Sequence, residues 1–89
     1  MEANLLRGDY MQKLKLYIMK ACPFCKKVMR FMEKNNVEGV EIVDIDSDPR
    51  HKEDLVKIGG VNQVPMLLID DNPMYESEDI IQWMRVNKL

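Results

Sequence analysis

Two cysteines are the residues of this chain best suited to chemistry, and they occur as Cys22-Pro23-Phe24-Cys25. The apolar run 14–19 precedes them directly, so they fall where a strand is followed by a helix. Unpaired N–H groups and the dipole at a helix start favour a thiolate at Cys22. Cys25 lies almost one turn further on, close enough to attack a mixed disulfide at the first sulfur. The pattern predicts a catalytic dithiol, with Cys22 as nucleophile and Cys25 as resolving thiol through a Cys22–Cys25 disulfide.

A structural disulfide and half of a metal site are the two alternatives for this pair. The sequence contains one histidine, His51, and no cysteine other than Cys22 and Cys25. Two thiolates and one imidazole cannot complete a tetrahedral zinc site within a single chain, so no metal is expected. His51 is expected to be a solvated residue of the second helix.

Length and composition predict one small cytoplasmic domain. The chain has 89 residues, of which 46% are hydrophobic and 31% are charged, which is ordinary for a globular protein. No run approaches the roughly 20 apolar residues of a membrane span, and residues 1–13 lack the apolar core of a secretory signal. The net charge of −2 argues against nucleic acid as a partner. We expect a cytoplasmic monomer with no membrane partner.

Charge is unevenly distributed along the chain. Residues 1–34 contain eight Lys/Arg and three Asp/Glu, whereas residues 35–89 contain five and twelve, so the two parts carry +5 and −7. The dithiol lies in the basic part, beside Lys20, Lys26, Lys27 and Arg30. These cations would stabilise a thiolate and attract an anionic thiol substrate. For Lys27 and Arg30, a solvated helix face is the alternative.

Hydrophobic periodicity and turn residues predict the order β-α-β-α-β-β-α over residues 13–89, after an N-terminal arm at 1–12. The predicted strands are 14–19, 40–45, 65–69 and a short edge strand at 74–75, with a turn at 70–73. The first helix begins at Pro23 and buries a stripe at i, i+3, i+4 and i+7. The second runs from an Asp48 cap to Gly59-Gly60. Ser77 is predicted to cap the last helix, whose core side chains are Ile80, Ile81 and Met84.

These residues together resemble the glutaredoxin family over roughly 13–89. Cys22-Pro23-Phe24-Cys25 is close to the Cys-Pro-Tyr-Cys of dithiol glutaredoxins, and Gln63-Val64-Pro65 stands where the family has Thr-Val-Pro with a cis proline. Glu76-Ser77 resembles the Glu-Ser motif of glutathione-S-transferase N-terminal domains. Gln63 departs from the usual Thr, and the common Gly-Gly before the last helix is replaced by Met74-Tyr75.

The resemblance implies an α/β thioredoxin fold, with a four-stranded mixed sheet flanked by three helices. It also implies a glutathione-dependent oxidoreductase that reduces protein disulfides and glutathionylated proteins, with glutathione as reductant and co-substrate. Its glutathione site would comprise seven residues, Lys20, Phe24, Gln63, Val64, Pro65, Glu76 and Ser77.

Individual roles follow for most of these residues. Lys20 would pair with the glycyl carboxylate of glutathione, Phe24 would cover the tripeptide, and Val64 would offer backbone groups to the cysteinyl moiety. Glu76 and the N–H groups at Ser77 would bind the γ-glutamyl end. The structural alternatives are local packing for Phe24, a plain strand-start proline at Pro65, and helix capping alone for Ser77.

Two further functions fit the same dithiol. Some small glutaredoxin-like proteins take electrons from thioredoxin reductase and supply ribonucleotide reductase, and the changed Gln63 leaves room for that interpretation. An iron–sulfur carrier would instead use Cys22 from two chains together with two glutathiones. Pro23 and Cys25 favour a catalytic dithiol over the Cys-Gly-Phe-Ser sequence usual in carriers.

Overall fold

A computed structural model describes residues 12–89 of the chain. Within these residues, four strands and three helices follow one another in the predicted order β-α-β-α-β-β-α. They are β1 (Leu14–Ile18), α1 (Pro23–Lys34), β2 (Val40–Asp44), α2 (Pro49–Gly59), β3 (Met66–Ile69), β4 (Asn72–Met74) and α3 (Ser77–Lys88). Of the predicted arm at 1–12, all but residue 12 lies outside the described residues.

The strands form one mixed sheet in the order β2-β1-β3-β4. β1 pairs in parallel with β2, with Leu16 opposite Ile42, and antiparallel with β3, with Leu16 opposite Leu67. β4 extends the sheet as an antiparallel edge strand beside β3. β1 and β3 therefore occupy the interior, which explains why both are nearly continuous apolar runs. This architecture is the thioredoxin fold implied by the resemblance.

The helices cover both faces of the sheet and create two apolar clusters. On one face α1 and α3 pack over β1, and Leu16, Val28 and Ile80 are fully buried there. On the other face α2 contributes Leu55, which packs against the side chains of Tyr17, Val43, Ile45, Met66 and Leu68. The predicted stripe of α1 is buried at Cys25, Val28 and Met32, so the helix face that packs against the sheet includes the second cysteine.

Helix ends follow the chemistry predicted from their residues. Pro23 occupies the first turn of α1, where its missing N–H has no partner to lose. Asp48 caps α2, since its carboxylate accepts the backbone N–H of Arg50 at 2.9 Å. Gly60 ends the same helix with φ of 83°, a left-handed conformation that favours glycine.

The first three strands are each one residue shorter than predicted, and two further boundaries differ more. β4 begins at Asn72, so the connecting turn contains only Asp70 and Asp71, and Asp70 takes the left-handed φ of 56°. Pro73 lies inside β4, which is tolerated because an edge strand leaves one backbone side unpaired. Ser77 is not the cap of α3, because it is already the first helical residue and Glu76 occupies the N-cap position.

Among the described helices, none combines the length and apolar character that crossing a membrane requires.

Candidate active site

Cys22 occupies the N-cap position of α1, directly after the turn that follows β1. Its backbone N–H donates to the Met19 carbonyl at 3.1 Å, and its own carbonyl accepts the N–H of Lys26 at 3.0 Å to close the first helical turn. The Cys22 side chain is partly exposed, whereas Cys25 is fully buried, and both thiols are free. Only the first sulfur is therefore open to a substrate.

The pKa values of the two thiols are shifted in opposite directions. Burial acts to raise the pKa of Cys22, but the backbone N–H of Cys25, the Cys25 thiol and the N–H of Phe24 together bring it below its ordinary value. Both amides belong to the first turn of α1, whose N–H groups have no helical partner. Burial raises the pKa of Cys25 to about 12, with a backbone hydrogen bond to Met19 opposing and the neighbouring Cys22 adding to the rise. The pair consists of a partly exposed thiol with a lowered pKa and a buried, protonated one.

A pocket of about 300 Å³ lies beside the dithiol. It is lined by Phe24, Gln63, Val64, Pro65, Glu76 and Ser77. Three separate segments contribute: the start of α1, the loop before β3, and the junction of β4 with α3. The fold thus brings together six of the seven residues predicted to bind glutathione.

The loop before β3 presents Val64 to this pocket through a cis Val64–Pro65 bond. Val64 is partly buried and Pro65 is buried, so the loop is anchored on the core. At the opposite wall, Glu76 has φ of 72°, a left-handed value that is uncommon for a residue with a side chain. The Gln63 amide donates to the Glu76 carboxylate at 3.4 Å, which links the two walls.

Phe24 forms the rim of the pocket on the α1 side. Its ring is 62% exposed although it is a large apolar group. An exposed aromatic ring beside a concave polar site is a surface suited to cover a bound ligand.

Lys20 is not among the residues that line this pocket. It lines a different groove, together with Lys26, Met29, Arg30 and Glu33. Its ammonium group is 3.9 Å from the Asp44 carboxylate at the end of β2 and its side chain is 83% exposed, so this ion pair restrains it little. A ligand confined to the pocket would therefore not meet Lys20, which was predicted to contact glutathione.

One link across the site was not predicted from the sequence. Lys27 of α1 forms an ion pair with Glu78 in the first turn of α3, which joins the helices on either side of the pocket. The available signal was the contrast between the basic residues of α1 and the acidic start of α3. That contrast showed opposite charges but not that the two helices are neighbours.

This fold, with an acidic, accessible Cys22 and a buried partner thiol one turn further on, defines a thioredoxin-fold thiol–disulfide oxidoreductase. The sequence also matches the family described as Glutaredoxin over residues 14–74. The chain belongs to the glutaredoxin family.

Similar proteins agree with this assignment. A glutaredoxin-like 8.6 kDa protein in the rubredoxin operon of Clostridium pasteurianum is 29% identical over 59 residues, which is 66% of this chain and 77% of that protein. Glutaredoxin 1 of Rickettsia prowazekii is 26% identical over 76 residues, covering 83% of this chain and 79% of the relative. The holo form of glutaredoxin C1 from Populus tremula x tremuloides superposes with a TM-score of 0.64 at 14% identity, over 85% of this chain and 77% of that chain.

Proposed function

We propose that this protein is a glutathione-dependent oxidoreductase that reduces glutathionylated proteins and protein disulfides. The observation that carries the proposal is the pocket of about 300 Å³ beside the dithiol, lined by Phe24, Val64, Glu76 and Ser77 with two neighbours. A pocket of this size accommodates part of a tripeptide, which leaves the remainder on the surface.

The groups of the pocket suit the γ-glutamyl end of glutathione. The first N–H groups of α3, at Ser77 and beyond, have no helical partner and attract a carboxylate. The Glu76 carboxylate would bind the ammonium group of the same moiety. Val64 would pair its backbone with the cysteinyl residue in the manner of an added strand. Lys20 would reach the glycyl carboxylate only by extending from its own groove.

Deglutathionylation proceeds through two exchanges. The Cys22 thiolate attacks the glutathione sulfur of a glutathionylated protein, the S–S bond breaks, and the protein leaves as a thiolate that takes a proton from solvent. The thiolate of a second glutathione then attacks the glutathione sulfur bound to Cys22. Glutathione disulfide departs and Cys22 returns as a thiolate.

For protein disulfides the buried thiol takes part. Cys22 attacks one substrate sulfur and forms a mixed disulfide, and the first substrate thiolate leaves. Cys25 then attacks the Cys22 sulfur, and its proton passes to the second departing substrate thiolate. The products are a Cys22–Cys25 disulfide and a reduced substrate. Burial raises the pKa of Cys25 to about 12, so this thiol is protonated in the reduced protein.

One observation favours a second candidate, in which electrons come from thioredoxin reductase. The Gln63 amide donates a hydrogen bond to the Glu76 carboxylate at 3.4 Å. That carboxylate is the group proposed to bind the ammonium group of glutathione. A glutathione molecule would have to share or displace that contact.

Reduction by each donor distinguishes the candidates. With glutathione, glutathione reductase and a glutathionylated peptide, the proposal predicts turnover that Cys22→Ser abolishes and Cys25→Ser retains. Glu76→Gln should raise the KM for the glutathionylated peptide about tenfold, as expected for loss of one charged contact, while Glu53→Gln on α2 should not. Turnover with thioredoxin reductase and none with glutathione would refute the glutathione proposal.

A further inference from the structure

A second groove is lined in part by Lys20 and Lys26, which flank the dithiol in the sequence, and it shares no lining residue with the pocket already described. It has a volume of about 610 Å³ and is lined by Lys20, Lys26, Met29, Arg30 and Glu33. Lys26 and Arg30 follow Cys22 at intervals of four residues, so they lie in one row along the same side of α1. At a rise of about 1.5 Å per residue, the eight residue steps from Cys22 to Arg30 span about 12 Å along the helix axis.

The groove is strongly basic. Three of its five lining residues, Lys20, Lys26 and Arg30, carry a positive charge, and their side chains are exposed. Glu33 is the only carboxylate among those five and lies one turn beyond Arg30, at the end of the row. Met29 is partly buried and supplies an apolar floor between the cations. This concentration of positive charge stands out because the whole chain carries a net charge of −2.

We propose that this groove binds an acidic segment of the protein substrate whose disulfide is attacked by Cys22. An extended chain rises about 3.3 Å per residue, so the row of about 12 Å corresponds to about four residues. The recognised carboxylates therefore lie within four residues of the target cysteine. The inference rests on the proposed thiol–disulfide chemistry but not on glutathione as the electron donor.

Electrostatics gives this groove a role in choosing substrates. The three cations of the groove attract an acidic segment, whereas residues 35–89 carry a net charge of −7 and on balance disfavour an acidic partner. Complementary charge beside the sulfur raises the rate of productive encounter and orients the substrate disulfide toward Cys22. Substrates with basic flanks meet repulsion at the same place.

Two disulfide peptides test this groove directly. They share one cysteine, bonded to a small neutral thiol, and carry either two Glu or two Lys within four residues of it. In single turnover with the fully reduced protein, the acidic peptide should react about tenfold faster at low ionic strength, within the range of electrostatic steering. The preference should nearly vanish at about 1 M salt, where the Debye length is about 3 Å.

Charge variants assign the preference to the groove. The double variant Lys26→Glu/Arg30→Glu should invert the rate ratio of the two peptides, and Lys26→Gln/Arg30→Gln should bring it close to one. The matched control Lys52→Glu/Lys57→Glu makes the same change of net charge on α2 and should preserve most of the preference. A ratio of two rates cancels any change in the thiolate fraction of Cys22.

The outcomes separate this inference from the proposed function. Equal rates for the two peptides, or an equal loss of preference in the groove and control variants, would overturn the groove while leaving turnover with glutathione intact. Reduction of neither peptide would overturn the thiol chemistry and the groove together. A normal peptide preference without glutathione turnover would support the groove and refute only the electron donor.

Discussion

The contact between Gly59 and Tyr75 predicts a specific coupling in stability. Gly59 is the last residue of α2, and Tyr75 directly precedes Glu76 of the pocket. A Cβ atom at position 59 would overlap the Tyr75 hydroxyl and come within 3.1 Å of its ring carbon Cζ and 3.2 Å of the Met66 Sδ. That hydroxyl is buried and has no hydrogen-bond partner among residues 12–89. The space left by glycine is therefore filled by an uncompensated polar group.

The magnitudes of three substitutions follow from this contact. Overpacking costs about 1–3 kcal/mol, whereas alanine gains up to about 1 kcal/mol over glycine in a helix, so Gly59→Ala should destabilise the fold by about 1–2 kcal/mol. Tyr75→Phe removes the unpaired hydroxyl and should stabilise the fold by about 1 kcal/mol. When Gly59→Ala is combined with Tyr75→Phe, the overlap with the hydroxyl is gone and only the closer contacts with the ring and with Met66 remain, so the alanine should cost about 1–2 kcal/mol less than it does beside Tyr75.

Urea denaturation of the four proteins of this cycle measures the coupling. We expect an interaction free energy of about 1–2 kcal/mol, which corresponds to a shift of several degrees in Tm for a domain of this size. Gly60→Ala is the control, because a Cβ there meets nothing within 4 Å and suffers only from φ of 83°. Its cost should be independent of Tyr75→Phe. Additive effects of Gly59→Ala and Tyr75→Phe would refute the reasoning.

Three other predictions concern acidity and packing. At pH 7 iodoacetamide should label Cys22 and leave Cys25 unlabelled, since their pKa values lie below and above the ordinary value; peptide mapping showing equal labelling would contradict this. Arg50 lowers the pKa of Asp48 from 3.8 to about 2, so the carboxylate stabilises the fold above pH about 4 and loses this effect as the pH falls to about 2. Acid titration should therefore show the stability difference between wild type and Asp48→Asn shrinking over that window, and a constant difference would count against it. Ile80→Ala should cost about 2–5 kcal/mol in chemical denaturation because Ile80 is fully buried, whereas Val86→Ala, at a side chain 69% exposed, should change stability little.

Much of the fold could be predicted from the residues at helix ends and in apolar runs. Pro23 and Asp48 begin their helices as expected, and Gly60 ends the second helix, because each satisfies a backbone requirement at its own position. The dithiol could be placed at a helix start for the same reason. The apolar runs 14–19 and 65–69 were both correctly predicted as strands, and the lack of polar alternation in the second run indicated its interior position.

The errors arise where distant segments decide the local structure. Asn72 and Pro73 looked like turn residues, but pairing with β3 makes them part of an edge strand. Ser77 was predicted to be the cap of the last helix. Here, however, the chain passes from one face of the sheet, where Tyr75 packs beside α2, to the other face, where Ile80 of α3 is buried. Glu76 adopts a left-handed backbone conformation at this point, which no local sequence pattern predicts.

The pocket itself was predictable only through a resemblance to known sequences. Residue spacing alone does not show that Phe24, Val64 and Glu76 meet, because they come from three separate segments. The position of Lys20 in a different groove is likewise set by the course of the turn after β1, which the sequence pattern does not describe.

Trapping the first covalent intermediate tests the central proposal most directly. Cys25→Ser is reduced, mixed with a glutathionylated peptide in the absence of free glutathione, and analysed by intact-mass and peptide-level mass spectrometry. We predict one adduct, with glutathione attached to Cys22 and the peptide released as a thiol. Attachment of the peptide to Cys22 with release of glutathione, or no adduct at all, would contradict the proposal that the pocket holds glutathione for attack.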